Sequence, residues 1–187
     1  MKYHIGDIFQ LRNKLIQKGE KVILTVPTNV GWKKDGVNPQ GAGVAKQLKE
    51  NFKNKNYALE YGLICHYYHE IDQYEDKSMC YAVISDDLQI LFFATKPLNE
   101  EKPYLSWQQN STIEQIKASM EEFKSFIIYQ EELILFPLVG SGNGGLDKNM
   151  IQEYLIKELK EYKNIILCDL NLNKDMLELY SIKKLEI

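Results

Sequence analysis

The sequence predicts an α/β fold, a layered sheet with helices packed against it. Three observations carry that reading. Short apolar runs alternate with amphipathic stretches of helical period. Most runs are near-continuous in hydrophobicity, as in Ile90-Leu91-Phe92-Phe93-Ala94 and Ile165-Ile166-Leu167-Cys168, which marks strands covered on both faces. Polar residues and glycines gather directly after those runs, at the strand ends where an open α/β sheet holds its ligands.

Five runs read as strands: Lys21–Thr28, Tyr61–His69, Leu88–Thr95, Glu132–Leu138 and Asn164–Cys168. Tyr81–Ile84 is a weaker sixth, and Lys2–Ile5 is a candidate seventh at the sheet edge. Between them, Ile8–Gln17 carries apolar residues at 8, 11 and 15, and Gly43–Phe52 carries them at 44, 45, 48 and 52. Ser111-Thr112-Ile113-Glu114 is a capping-box pattern, and the helix it opens aligns Ile113, Ile116, Met120, Phe123 and Ile127. Met150, Ile151, Tyr154, Leu155 and Leu159 mark the last clear helix. Leu98–Gln109 is polar and unpatterned and reads as a long loop, and the tail from Asn173 is either a short helix or loose chain.

One domain of 187 residues is large enough to bury a full core. A formal charge of −3 argues against a broad basic face for nucleic acid, yet leaves room for a nucleotide bound through backbone amides. The three cysteines, Cys65, Cys80 and Cys168, are odd in number and lie in or beside apolar runs, as reduced core thiols do. With no signal-peptide h-region and no apolar run of membrane-spanning length, the expected setting is the cytoplasm, with no membrane partner. Cys65, His66 and His69 could suggest a metal, but on the expected strand positions three apart face opposite sides, so no metal is expected. On the same strand Tyr67 and Tyr68 would pack against the sheet.

Two glycine loops carry the chemistry. Gly140-Ser141-Gly142-Asn143-Gly144-Gly145-Leu146-Asp147 follows a buried strand and leads into a helix, and Gly41-Ala42-Gly43-Val44-Ala45 leads into another. Glycines allow positive φ and close approach of the backbone, and helix N-termini offer free N–H groups to anions. Two such loops facing each other would enclose a diphosphate. No Gly-x-Gly-x-x-Gly follows the first strand and no Gly-Lys-Ser/Thr closes a P-loop, which disfavours a Rossmann dehydrogenase or an NTPase. Trp32, Lys33 and Lys34 are either a solvated tip or a surface that stacks on a nucleotide.

This ordered set resembles the macro domain family, which binds ADP-ribose. Gly6-Asp7-Ile8 looks like the family's opening motif, with Asp7 at the adenine amino group. Asn29 with Gly41, Ala42, Gly43 and Val44 is similar to the distal-ribose and diphosphate loop. Ser141, Gly142, Asn143, Gly144, Gly145 and Leu146 resemble the second phosphate loop. The match runs over about residues 2–171 of a single domain spanning 1–187, with 172–187 as a tail, and Ser141 stands where cysteine is common. Trp32–Pro39 lengthens the first loop, and Trp107 lies further downstream than the family's usual aromatic. The resemblance implies a three-layer α/β/α fold with a central mixed sheet of about six to seven strands.

Within the family the chain is most similar to the lysine-dependent ADP-ribosyl-glycohydrolase branch and to stand-alone phage macro domains. That likeness implies removal of ADP-ribose from a protein, nucleic-acid or nucleotide-signal substrate by a monomer without cofactor, in the host cytoplasm if the protein is phage-encoded. Lys96 of Thr95-Lys96 would be the nucleophile and Asp147 a general base. The residues alone leave other roles open. Lys96 can be a surface cation before Pro97, while Asp147 and Asp7 can be helix caps and Asn29 a turn residue. The alternatives to hydrolysis are a non-catalytic reader of ADP-ribose and a phosphatase acting on ADP-ribose 1″-phosphate.

Overall fold

The computed structural model describes residues 1–52, 56–70, 80–85 and 88–186, with 80–85 and 88 as backbone. Among these, seven strands form one sheet: β1 (Lys2–Ile5), β2 (Val22–Asn29), β3 (Cys80–Ser85), β4 (Leu88–Lys96), β5 (Leu133–Pro137), β6 (Ile165–Asp169) and β7 (Lys183–Lys184). Their spatial order is β3-β4-β2-β5-β6-β1-β7. β3 runs antiparallel to β4 and every other pair is parallel. The sheet is therefore mixed, and six helices cover its two faces: α1 (Ile8–Gln17), α2 (Gly43–Asn51), α3 (Tyr57–Glu70), α4 (Ile113–Ile127), α5 (Lys148–Leu159) and α6 (Lys174–Leu179).

Strand alternation divides the core in two. Val22, Leu24 and Val26 of β2 join Ile90, Phe92 and Ala94 of β4 in a cluster with Leu11 and Leu15 of α1, Leu48 of α2 and Tyr61 of α3. The intervening Ile23, Leu91 and Phe93 turn to the opposite cluster, built on Ile116, Met120 and Phe123 of α4 and on Ile151 and Leu155 of α5. Rings fasten both layers: Tyr61 stacks on Phe92 at 4.6 Å, while Phe93, Phe123 and Phe136 meet edge to face at 4.9–6.0 Å.

The structure corrects several expectations. The run Tyr61–His69 is the middle of helix α3, not a strand. Tyr57, Tyr61 and Cys65 recur at helical spacing and are buried, but Leu63, Tyr67 and Tyr68 stay exposed and blur the period. Tyr67 and Tyr68 therefore do not pack against the sheet. The strand argument against a metal at Cys65, His66 and His69 falls with the strand. His66 and His69 lie one turn apart, and their rings flank Trp32 at 4.9 and 5.2 Å. β1 is not the edge, because the two-residue β7 pairs outside it. The loop 98–109 contains a 3-10 turn, Pro103–Gln108, and the tail folds into α6 and β7 with Leu177 buried.

Thr112, rather than Ser111, caps α4, its hydroxyl accepting from Gln115 N at 3.1 Å. Every other expected helix and strand is present within a residue or two.

Candidate functional site

From β2 the chain crosses through α2 and α3 to β3 and then β4 on one side, and from β5 through α5 to β6 on the other. β2 and β5 are neighbours, so the sheet has its switch point between them, where the loops leaving the carboxyl ends diverge to opposite faces. A cleft of about 390 Å³ opens there, over the ends of β2, β4, β5 and β6. Asn29 and Lys96 end β2 and β4 as register partners, just past a bulge at Thr28.

One wall is the first glycine loop. Asn29 is 4% exposed, donates from Nδ2 to Pro39 O at 2.9 Å, and accepts at Oδ1 from Gly31 N at 3.0 Å. Asn38, buried beside it, donates to Asn29 O at 2.9 Å and Gly31 O at 2.7 Å, and takes the Thr28 hydroxyl at 3.0 Å. This amide network folds the insertion 32–39 back on β2, so Gln40, Gly41 and Ala42 line the cleft. Gly43 opens α2 at φ +59°, a left-handed conformation that glycine adopts without strain.

The facing wall is the second glycine loop, a short 3-10 turn, Gly142–Gly144, with positive φ at Gly140, Gly142 and Gly145. The two walls approach closely: a Cβ on Gly43 would lie 3.9 Å from Asn143 Nδ2. Between them, Lys96 Nζ donates to Trp107 O at 2.8 Å and Asn143 O at 3.0 Å. Burial holds its pKa below the usual lysine value. The Trp107 ring lies against Gly41, where a Cβ would meet it at 3.1 Å. At the β6 end of the cleft, Lys148 Nζ pairs with Asp169 Oδ1 at 2.6 Å, and the same oxygen accepts from Asn171 N at 2.9 Å.

This architecture has solved counterparts. The macrodomain of Mycobacterium tuberculosis DarG matches with a TM-score of 0.64 at 19% identity, over 91% of this chain and 97% of that one. The macrodomain of Thermus aquaticus DarG matches at 0.61 and 19%, with the same coverage. The chain has the macrodomain fold. Thermosipho africanus DarTG, solved in complex with ADP-ribose, matches at 0.62 and 19% over 89% of this chain and 40% of that one. The sequence itself matches no family model and no curated protein.

On this macrodomain fold the site residues expected from sequence fall into two groups. Lys96, Asn29, Gly41, Ala42, Gly43, Val44, Ser141, Gly142, Asn143 and Gly144 line one cleft. Asp7, Ile8, Gly145, Leu146 and Asp147 do not line it. Asp147 caps α5, accepting from Met150 N at 2.8 Å, and Asp7 caps α1 in the same way through Gln10 N at 2.8 Å. The Ile8 side chain belongs to the core, and Leu146 packs toward the helices of the opposite face.

Sequence reasoning placed Gln40 and Asp169 at the ligand edge of the sheet without giving them a role, and missed Trp107, Ser111 and Lys148 as lining residues and Asn38 as the anchor of the first wall. For Asp169 there was a signal, its place directly after the apolar run of β6. For Ser111 there was a misleading one, the capping box. Trp32, held between two histidines, is half-buried and takes no part in the cleft lining, while Lys33 and Lys34 are exposed.

Proposed function

We propose that the cleft binds ADP-ribose or an ADP-ribosyl derivative and that Lys96 cleaves the ADP-ribosyl linkage there. The observation that carries this reading is the meeting of two glycine loops across the switch point, with the Lys96 ammonium tied to the second. Backbone amides and glycine surfaces on two sides suit a diphosphate, which needs close approach and many N–H donors. The ADP-ribose seen in the Thermosipho africanus relative supports the same ligand class.

For catalysis, Lys96 would act as a neutral amine, and burial favours that form. A neutral amine has two N–H bonds and one lone pair. The carbonyls of Trp107 and Asn143 can accept both hydrogens, leaving the lone pair to attack the anomeric carbon of the distal ribose. The bond from that carbon to the acceptor breaks, the proton shed by the newly bonded nitrogen goes to the departing acceptor, and water then hydrolyses the lysine adduct to ADP-ribose and free amine. Tyr104 and Trp107, both exposed, stand one turn apart on the 3-10 turn Pro103–Gln108, where residues i and i+3 eclipse. Trp107 of this pair lines the cleft, and an exposed aromatic pair beside it supports a base-bearing acceptor, so an ADP-ribosylated oligonucleotide is the substrate to try beside an ADP-ribosylated protein.

A second reading draws on the same lysine. An ammonium donating to two backbone carbonyls is also a strut that joins two loops, as a non-catalytic reader of ADP-ribose would need. Calorimetric titration with ADP-ribose, with Gly43→Glu as the blocked control, tests the ligand. Release of ADP-ribose from a modified substrate by wild type and Lys96→Ala then tests the chemistry. One-to-one binding lost in Gly43→Glu is expected. Turnover that persists at the parent rate in Lys96→Ala would leave only the reader.

A further inference from the structure

Ser111 begins the turn into α4, yet its hydroxyl does not cap that helix. Its backbone N–H donates to Gly144 O at 2.9 Å, while Oγ is buried with no protein partner. The residue is 4% exposed and lines the cleft beneath the second glycine loop. The fit there is close: a Cβ on Gly144 would fall 2.4 Å from Ser111 Oγ. On the opposite wall Gln40 Nε2 is likewise buried and without a partner, next to Gly41. A buried donor with nothing to bond is a standing cost that folded proteins rarely carry without a use. Here two such donors line one cleft, one under each glycine loop.

We infer that Ser111 and Gln40 are diphosphate-binding residues, their donors completing from the two walls the set of backbone amides offered by the glycine loops. Both residues line the cleft, and neither donor has a protein hydrogen bond to break in turning to a ligand. The inference rests on the reading of the cleft as a diphosphate site. Removing one donor leaves the fold intact and takes away one hydrogen bond to the ligand, a loss of about tenfold in affinity.

The test compares wild type, Ser111→Ala and Gln40→Met by calorimetry against ADP-ribose and against inorganic pyrophosphate, with thermal melting of each protein without ligand. The expected result is an unchanged or higher Tm in both variants and about tenfold weaker binding of both ligands. Wild-type affinity in Ser111→Ala together with a lowered Tm would overturn the inference, because the hydroxyl then has a structural partner such as a buried water. A loss seen with ADP-ribose and not with pyrophosphate would overturn the assignment to the diphosphate. Pyrophosphate binding that depends on Ser111, in a protein that ignores ADP-ribose, would uphold this inference and remove the proposed function instead.

Discussion

Replacing Gly62 by alanine should damage the first wall of the cleft from a distance. Gly62 faces the insertion from α3, and an added Cβ would fall 2.1 Å from Gly36 O, 2.5 Å from Asn38 N and 2.9 Å from Val37 C. All three are backbone atoms, so no side chain can swing aside. Relief needs about an ångström of displacement, a typical overpacking cost of about 1–3 kcal/mol. The movement falls on Asn38, whose N–H donates to Ala58 O at 2.7 Å and whose amide carries the Thr28, Asn29 and Gly31 contacts. Weakening one or two of those buried bonds adds about 1–2 kcal/mol, and alanine returns about 1 kcal/mol of helix propensity. The net expectation is about 1–4 kcal/mol of destabilisation, or about 2–16 °C in Tm for a chain of this length. Urea denaturation should show a lower midpoint at constant m, and ADP-ribose affinity should fall as Gln40 and Gly41 shift. A variant as stable as wild type, or stabilised by the helix term alone, would refute the packing of α3 on the loop.

Three further expectations follow from single contacts. Asp147→Ala should cost about 1 kcal/mol through the lost α5 cap and leave ligand affinity within twofold; a fall in turnover of more than tenfold would restore the carboxylate to the chemistry. Lys96→Arg keeps donors for the two carbonyls but has no amine lone pair, so it should bind ADP-ribose and release none, whereas a reader would bind equally well with either residue. Lys96 has a lower pKa folded than unfolded. Below both values the charged group destabilises the fold, so the stability of wild type relative to Lys96→Met should rise with pH through the window beneath 10.5, and a falling difference would contradict the burial. Cys65, with its thiol pushed up to about 12, and Cys168, raised by burial, should resist thiol reagents until the protein unfolds; rapid native labelling at either would place it outside the core.

The elements that were legible in the sequence are those whose burial leaves a clean period. α4 shows apolar residues on one side and buries Ile116, Met120, Phe123 and Ile127, while β4 over 90–94 and β6 over 165–168 are apolar at every position because both faces are covered. α3 was illegible for the converse reason. It keeps Tyr57, Tyr61 and Cys65 at helical spacing and adds Leu63, Tyr67 and Tyr68 on its exposed side, so the run resembles a buried strand. The glycine loops announced themselves, since their backbone demands are written as glycine. What holds them did not: Asn38 reaches Gly31 across seven residues, Lys96 reaches Asn143 across 47, and no local pattern encodes either contact. The Ser111 hydroxyl was misassigned because Ser111 and Thr112 both satisfy a cap, and only the chain path chooses between them.

The two walls are built on different principles, and the difference bears on function. The first is locked by Asn29 and Asn38, whose amides bond to one another and to backbone within the wall, so ligand contact need not disturb it. The second is tied down by Lys96, through Asn143 O, and by Ser111 N, through Gly144 O. Both of those residues also line the cleft. A charge entering between the walls therefore acts on Lys96 directly and on the second loop through it. An anion near Nζ favours the ammonium, so attack by the neutral amine requires the diphosphate to be held by the loop amides away from Nζ. Substitutions at the wall-internal amides Asn29 and Asn38 should thus be read out mainly in stability, and those at Lys96 and Ser111 mainly in affinity and turnover. That division follows from which hydrogen bonds are internal to a wall and which are shared with the cleft.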